Sequence, residues 1–123
     1  MASTLLKLKF WLPGVVIPKA RPRVSRNSTY LPQRYQDWQR LAIAELLLQI
    51  SDRTPLEYPV VVRVLLQGKG HRGDIDNLAG SCLDALVKSG ILEDDRLSCV
   101  GHLEARHEPK GETGCWIEIE PKR

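Results

Sequence analysis

The sequence predicts an α+β domain, a mixed β-sheet packed with two main α-helices. Three observations predict it. Residues 58–66 form an apolar, β-branched run broken by a single charge, Arg63, which reads as a central strand covered on both faces. Residues 36–50 and 74–88 repeat apolar side chains at helical spacing. Alternating segments at both ends of the chain supply further strands. A length of 123 residues suits one domain, 1–123, with a core of its own.

In order, residues 5–12 alternate, with Leu6, Leu8, Phe10 and Leu12 on one face and Lys7, Lys9 and Trp11 on the other, a half-buried strand. Lysines on such a strand guard a sheet edge. Pro13-Gly14 ends it, and Pro18 and Pro22 keep the next segment extended. Residues 23–25 and 28–31 pair as a short basic hairpin about Arg26-Asn27, with Tyr30 either packed beneath it or free to stack on a base. The 36–50 helix carries Trp38, Leu41, Ala42, Leu46, Leu48 and Ile50 as a broad apolar face, and its leucines on more than one side suit a second, dimer-forming surface. Pro55 lies beyond its end. After strand 58–66 comes a glycine-rich loop, Gly68 to Gly73. The second helix follows, striped with Leu78, Cys82, Leu83, Leu86 and Val87 and stopped at Gly90. Strands at 97–105 and 115–120 flank a turn at Pro109-Lys110-Gly111, and Pro121-Lys122-Arg123 is expected to be a disordered basic tail.

Charge and cysteines exclude several classes. The net charge of +3 is unevenly spread: residues 1–40 hold eight Lys and Arg against Asp37 alone, net +7, which leaves −4 for the remainder. The basic part suits a polyanion; Lys19, Arg21 and Arg23 crowd three cations into five residues and read as phosphate contacts. Cys82, Cys99 and Cys115 form no CxxC pattern, so neither a zinc cage nor a disulfide framework is indicated, and reduced thiols point to the cytoplasm. No apolar run reaches the length of a membrane span, and no secretory leader is visible.

The chemistry concentrates between Gly73 and Asp95. Asp74 and Asp76 open the second helix, and Asp94 and Asp95 follow it. Gathered carboxylates repel unless a cation sits among them, and a hard divalent ion takes oxygen ligands. If the chain returns toward the helix start as strand 97–105, Asp94 or Asp95 faces the first pair. The competing reading is helix capping, which needs only one aspartate, with Asp94-Asp95 a solvated turn. Asp84 is either a supporting acid or the partner of Lys88 at i+4. An EF-hand fails, because Leu78 stands at a ligand position and the required glycine is missing. His71, His102 and His107 belong to no nucleophile motif; His71 is an ordinary loop histidine or a contact of the site.

Asp74-Ile75-Asp76-Asn77-Leu78, then Leu83-Asp84-Ala85-Leu86, then Asp94-Asp95, behind Ile17-Pro18-Lys19-Ala20-Arg21-Pro22-Arg23, resembles the signature of the RusA family of Holliday junction resolvases. The resemblance spans most of the chain. It implies a RusA-like fold and a homodimeric, Mg2+-dependent endodeoxyribonuclease, with Mn2+ able to substitute, that nicks branched DNA at four-way junctions in recombination and repair. It implies Asp74, Asp76 and Asp95 as catalytic metal ligands. Asn77, Asp84, Asp94 and Lys88 would support them, and Lys19, Arg21, Arg23, Arg26, Lys69 and Arg72 would contact DNA. One position departs: the family often has lysine four residues after the second aspartate, and here Gly80 stands there. A catalytically impaired junction-binding module, or a nuclease for other branched nucleic acids, is the alternative.

Overall fold

The computed structural model describes residues 7–19, 32–50 and 56–123, together with the backbone of 23–25 and 28–30. Its elements are β1 (Leu8–Pro13), β2 (Arg23–Ser25), β3 (Ser28–Tyr30), α1 (Gln33–Gln49), β4 (Val60–Gln67), α2 (Ile75–Lys88), β5 (Val100–Glu108) and β6 (Gly114–Pro121). Four strands form one sheet in the order β1-β6-β4-β5. β6 runs antiparallel to β1 and β4, while β4 and β5 are parallel, so the sheet is mixed, as expected. β2 and β3 pair as the expected hairpin.

The core lies between the sheet and the helices. Val60, Val62, Val64 and Leu66 alternate onto the inner face of β4 and meet Phe10, Leu12, Ile117 and Ile119 from the neighbouring strands. Leu46 from α1 and Leu78, Cys82 and Leu86 from α2 close over them. The expectation that β4 is covered on both faces is corrected. Arg63 and Leu65 point to the open face, where Arg63 pairs with Glu104 at 3.5 Å and with Glu120. That face is screened by long side chains from adjacent strands, not by a second helical layer. Trp11 and Trp116 pack with ring centroids 4.9 Å apart, and the Lys9 ammonium lies 4.6 Å from the Trp116 centroid.

α1 begins a turn earlier than the apolar pattern predicts. The Pro32 carbonyl accepts from the Tyr35 and Gln36 amides, and the extra turn buries Tyr35. The apolar face is narrower than expected: Tyr35, Ala42 and Leu46 are buried, whereas Leu41 and Leu48 are exposed. The last two strands start and end later than predicted for β5 and extend a residue at each end for β6. Residues 96–99 form a turn, with the Cys99 and Val100 amides on the Arg96 carbonyl. The basic tail is not loose: Lys122 N–H donates to the Pro59 carbonyl at 2.9 Å. Among the described residues no helix is long and apolar enough to cross a membrane.

Candidate active site

α2 begins where β4 ends. Gly68, Gly70 and Gly73 all take positive φ, which lets the 68–73 loop turn sharply without strain. At Gly68 an added Cβ would run into the Thr113 backbone. His71 fixes this loop. Its Nδ1 accepts the Val16 amide at 3.2 Å, and its Nε2 faces the Gln67 and Gly114 carbonyls at 2.9 and 3.1 Å. Both ring nitrogens are thus engaged, so His71 ties three segments together and is no contact of the site.

Asp74 occupies the N-cap of α2 but makes no side-chain capping bond. Asp76, in the first turn, accepts only its neighbour's amide, Asn77 N–H at 2.9 Å. Both residues are exposed, and no salt bridge among the described residues involves either carboxylate. The capping explanation therefore fails for the pair. Two exposed carboxylates stand at the positive end of the helix dipole with no cationic side chain paired to either among the described residues, a donor set that suits a hard divalent cation.

The root of the basic arm lies against the same helix. The Ser81 hydroxyl donates to the Ile17 carbonyl at 2.7 Å, and an added Cβ at Gly73 would sit 3.3 Å from Pro18. Lys19 reaches Asp84 at 3.7 Å. Asp84 also accepts the Tyr35 hydroxyl at 2.8 Å and the Gln39 amide. Burial and, after it, the bond to the Asp84 carboxylate push the Tyr35 hydroxyl well above the ordinary tyrosine pKa. Asp84 is thus neither paired with Lys88 nor beside the acidic pair; it joins α2 to α1 and to the arm. Tyr35 and Gln39, which hold Asp84, and Ser81, which holds the root of the arm, are contacts that no sequence motif marks. The only local signal is an i,i+4 pair, Tyr35 and Gln39, on the first turns of α1.

Arg21 and Arg26 lie outside the described residues, as do the side chains of Arg23 and Tyr30. Lys69 and Arg72 are exposed on the loop that enters Asp74. An added Cβ at Gly80, one turn past Asp76, meets nothing within 4 Å.

The second acidic pair does not return to the first. Because β5 runs parallel to β4 and starts with Val100 beside Val60, α2 carries the chain back along the sheet. Residues 94–95 therefore lie at its far end. Glu93 N–H donates to the Tyr58 hydroxyl at 2.9 Å, just before β4. The 14 residues of α2 span about 21 Å at the usual rise. Asp94 pairs with Arg96 at 2.9 Å, and the bond it accepts from the Asp95 amide, foremost, with Arg96, holds its carboxyl below the usual range. Asp95 is exposed. Among the described residues no three His, Cys, Asp or Glu side chains stand close enough to hold a metal. The expected fold-back within one chain is corrected: a parallel crossover must separate what flanks its helix.

Two exposed carboxylates, without a cationic partner among the described residues, thus stand where β4 passes into α2, with Lys69 and Arg72 exposed on the loop that enters Asp74. Comparison with known proteins identifies the family. Residues 13–120 match the family described as Endodeoxyribonuclease RusA, and the chain belongs to that family of nucleases. It is 30% identical over 124 residues, covering 98% of this chain and 97% of the relative, to the crossover junction endodeoxyribonuclease RusA of Aquifex aeolicus (strain VF5).

Proposed function

We propose that this protein resolves four-way DNA junctions as a Mg2+-dependent homodimer, and that both protomers build each of its two sites. The observation that carries this is the separation of Asp74 and Asp76 from Asp95 by the length of α2. A two-fold axis that sets the α2 helices antiparallel brings Asp95 of the partner subunit to the Asp74–Asp76 pair, twice per dimer. Asp74, Asp76 and the partner's Asp95 would hold the ion, for which Mn2+ would substitute. When bound, it supplies an activated water and charge neutralisation at the phosphate.

The chain's own residues do the rest. The strand–loop–helix junction holds Asp74 and Asp76 rigid. Lys69 and Arg72, with Lys19, Arg21, Arg23 and Arg26 of the arm, contact backbone phosphates and steer the duplex over the carboxylates. Asn77 lies beside them on the first turn. Lys88 lies at the Asp95 end of α2, so in the dimer it approaches the partner's aspartate pair, where the family lysine missing at Gly80 would act. Two sites related by a dyad match a junction with two strands to cut. One unit, 1–123, does this work in DNA recombination and repair. The three buried free thiols suit the reducing cytoplasm.

The test is nicking of a labelled four-way junction with and without Mg2+, flaps and RNA serving as comparison substrates. Asp76→Asn should abolish nicks and leave junction binding intact. Co-expressed Asp76→Asn and Asp95→Asn chains, each inactive alone, should recover nicking through the one intact site of the mixed dimer. No recovery refutes the shared site. A stable shift by the wild-type protein without nicks refutes the enzyme in favour of a binding module.

A further inference from the structure

The segment from Gly14 to Lys19, which leads from β1 into the basic arm, lies along the loop that delivers Asp74. Their contacts run in step. An added Cβ at Gly70 would sit 3.3 Å from the Val15 side chain, and one at Gly73 would sit 3.3 Å from Pro18. A backbone without side chains lets the two segments pass this close. Between these points His71 Nδ1 accepts the Val16 amide at 3.2 Å. Among the described residues this is the one hydrogen bond between the segment and the 68–73 loop. Beyond it the segment reaches α2, where Ser81 donates to the Ile17 carbonyl and Lys19 meets Asp84.

The Val16 bond fixes the form of the ring. An amide N–H bonds only a bare ring nitrogen, so Nδ1 carries no proton and Nε2 does. The Nε2 proton is shared by two carbonyls, Gln67 at the end of β4 at 2.9 Å and Gly114 at the start of β6 at 3.1 Å. From β5, His107 stands edge-on with ring centroids 6.3 Å apart, and its Nε2 faces the Gly68 carbonyl at 3.2 Å. The sheet thus holds one end of the His71 ring, and the other end holds the root of the arm. Val16 is 1% exposed, so its amide has little access to water once the ring is removed.

We infer that His71 is a positioning residue of the nuclease reaction, which in its neutral Nε2–H form sets the basic arm in register with Asp74 and Asp76. This rests on the proposed function and adds a residue that acts on cutting without touching the ion or the DNA. Lys19, the first cation of the arm, lies three residues from Val16, and Asp74 lies three residues from His71. Three residues span at most about 10 Å. The Val16–His71 bond therefore governs where a phosphate held by Lys19, Lys69 and Arg72 comes to rest relative to the carboxylates. A misplacement of about 1 Å slows a reaction by up to about a hundredfold. The attraction of the same cations for backbone phosphate depends far less on exact placement. Loss of the bond should slow cutting much more than it weakens binding.

Two replacements separate the two ends of the ring. His71→Asn keeps an acceptor near the place of Nδ1, and His71→Gln reaches the place of Nε2 and leaves Val16 without a partner. Both are compared with His71→Ala and the wild type, each as the full chain. The measurements are junction affinity, single-turnover nicking with protein in saturating excess, and hydrogen exchange at the Val16 amide. His71→Ala and His71→Gln should lose Val16 protection and nick roughly tenfold to a hundredfold more slowly, with affinity within about threefold of the wild type. His71→Asn should keep protection and restore nicking to within about threefold. If the Ala variant does not fold, the Asn and Gln pair decides alone. Nicking that does not follow Val16 protection across the variants overturns the inference, as does affinity that falls as far as the rate. A wild type that nicks with an unprotected Val16 amide rejects the role of His71 and keeps the nuclease. A wild type that does not nick removes the proposed function and this role with it.

Discussion

Asp84 offers the sharpest test of how the arm is held to the nuclease core. Its carboxylate accepts the hydroxyl of Tyr35, which is 1% exposed, and the Gln39 amide, and it faces Lys19. Asp84→Ala removes the acceptor from both donors. A hydrogen bond to a charged group contributes about 1.5–3 kcal/mol, a figure that already includes the cost of leaving the buried hydroxyl without that partner. Gln39 is only part-buried and turns to water, so it adds little. The Lys19 pair is partly solvated and adds less than about 1 kcal/mol. The sum is a loss of about 1.5–4 kcal/mol, or roughly 10 °C in Tm for a domain of this size.

Urea unfolding read by Trp11, Trp38 and Trp116 measures it, at one fixed protein concentration so that dimerisation does not enter. The coupling is isolated by a cycle with Tyr35→Phe. If Tyr35 acts through Asp84, the two losses fall short of additivity by about 1–2 kcal/mol. Asp84→Ala should also weaken junction binding, because Lys19 loses its anchor. A loss under about 0.5 kcal/mol, or strict additivity, would show that the network does not hold the arm.

Other consequences follow from single positions. Gly80→Ala should stabilise α2 by about 0.5–1 kcal/mol in the same unfolding assay, since its Cβ enters open space. Gly114→Ala should cost about 1–3 kcal/mol or more, because the Cβ collides with the Trp11 ring and lies 2.7 Å from the Leu12 carbonyl. Tyr35 has a folded pKa above its ordinary value of 10.0, so its contribution is complete below pH 10.0 and is lost as pH climbs toward the folded value. Unfolding titrated into alkali should show that decline in the wild type and not in Tyr35→Phe. Replacing Lys69 and Arg72 by Ala should lower the salt slope of junction binding by about one for each phosphate no longer neutralised, measured by fluorescence anisotropy.

Local pattern carries most of the fold. The alternation in 8–12, the pairing of 23–25 with 28–30, the stripe from Leu78 to Val87 and the stop at Gly90 each reappear as structure because neighbours along the chain decide them. Pattern fails where distant groups decide. Nothing local distinguishes a strand buried twice from one whose outer face is shielded by Trp11, Trp116 and ion pairs, so the sequence of β4 reads as doubly covered when it is not. Tyr35 joins α1 because Asp84, far along the chain, needs its hydroxyl. The sense of β5 is equally invisible. A strand returning after a helix lies parallel or antiparallel to the strand before it, and the choice moves Asp95 from one end of α2 to the other.

That choice also bears on why the acidic site would be divided. Three carboxylates gathered within one small chain repel through every stage of folding that precedes metal binding. Held at opposite ends of α2, they impose no such cost on the single chain: Asp74 and Asp76 rest on a helix N-terminus, and Asp94, beside Asp95, is neutralised by Arg96. In the proposed dimer the repulsion arises only on assembly, when the ion can offset it. Metal affinity and dimer affinity are then linked. Mg2+ should tighten dimerisation of the wild type, and Asp95→Asn should tighten it without metal while abolishing the response to Mg2+. Sedimentation with and without the ion reads both effects. A dimer constant indifferent to Mg2+ and to Asp95 would mean that the carboxylates do not meet across the interface.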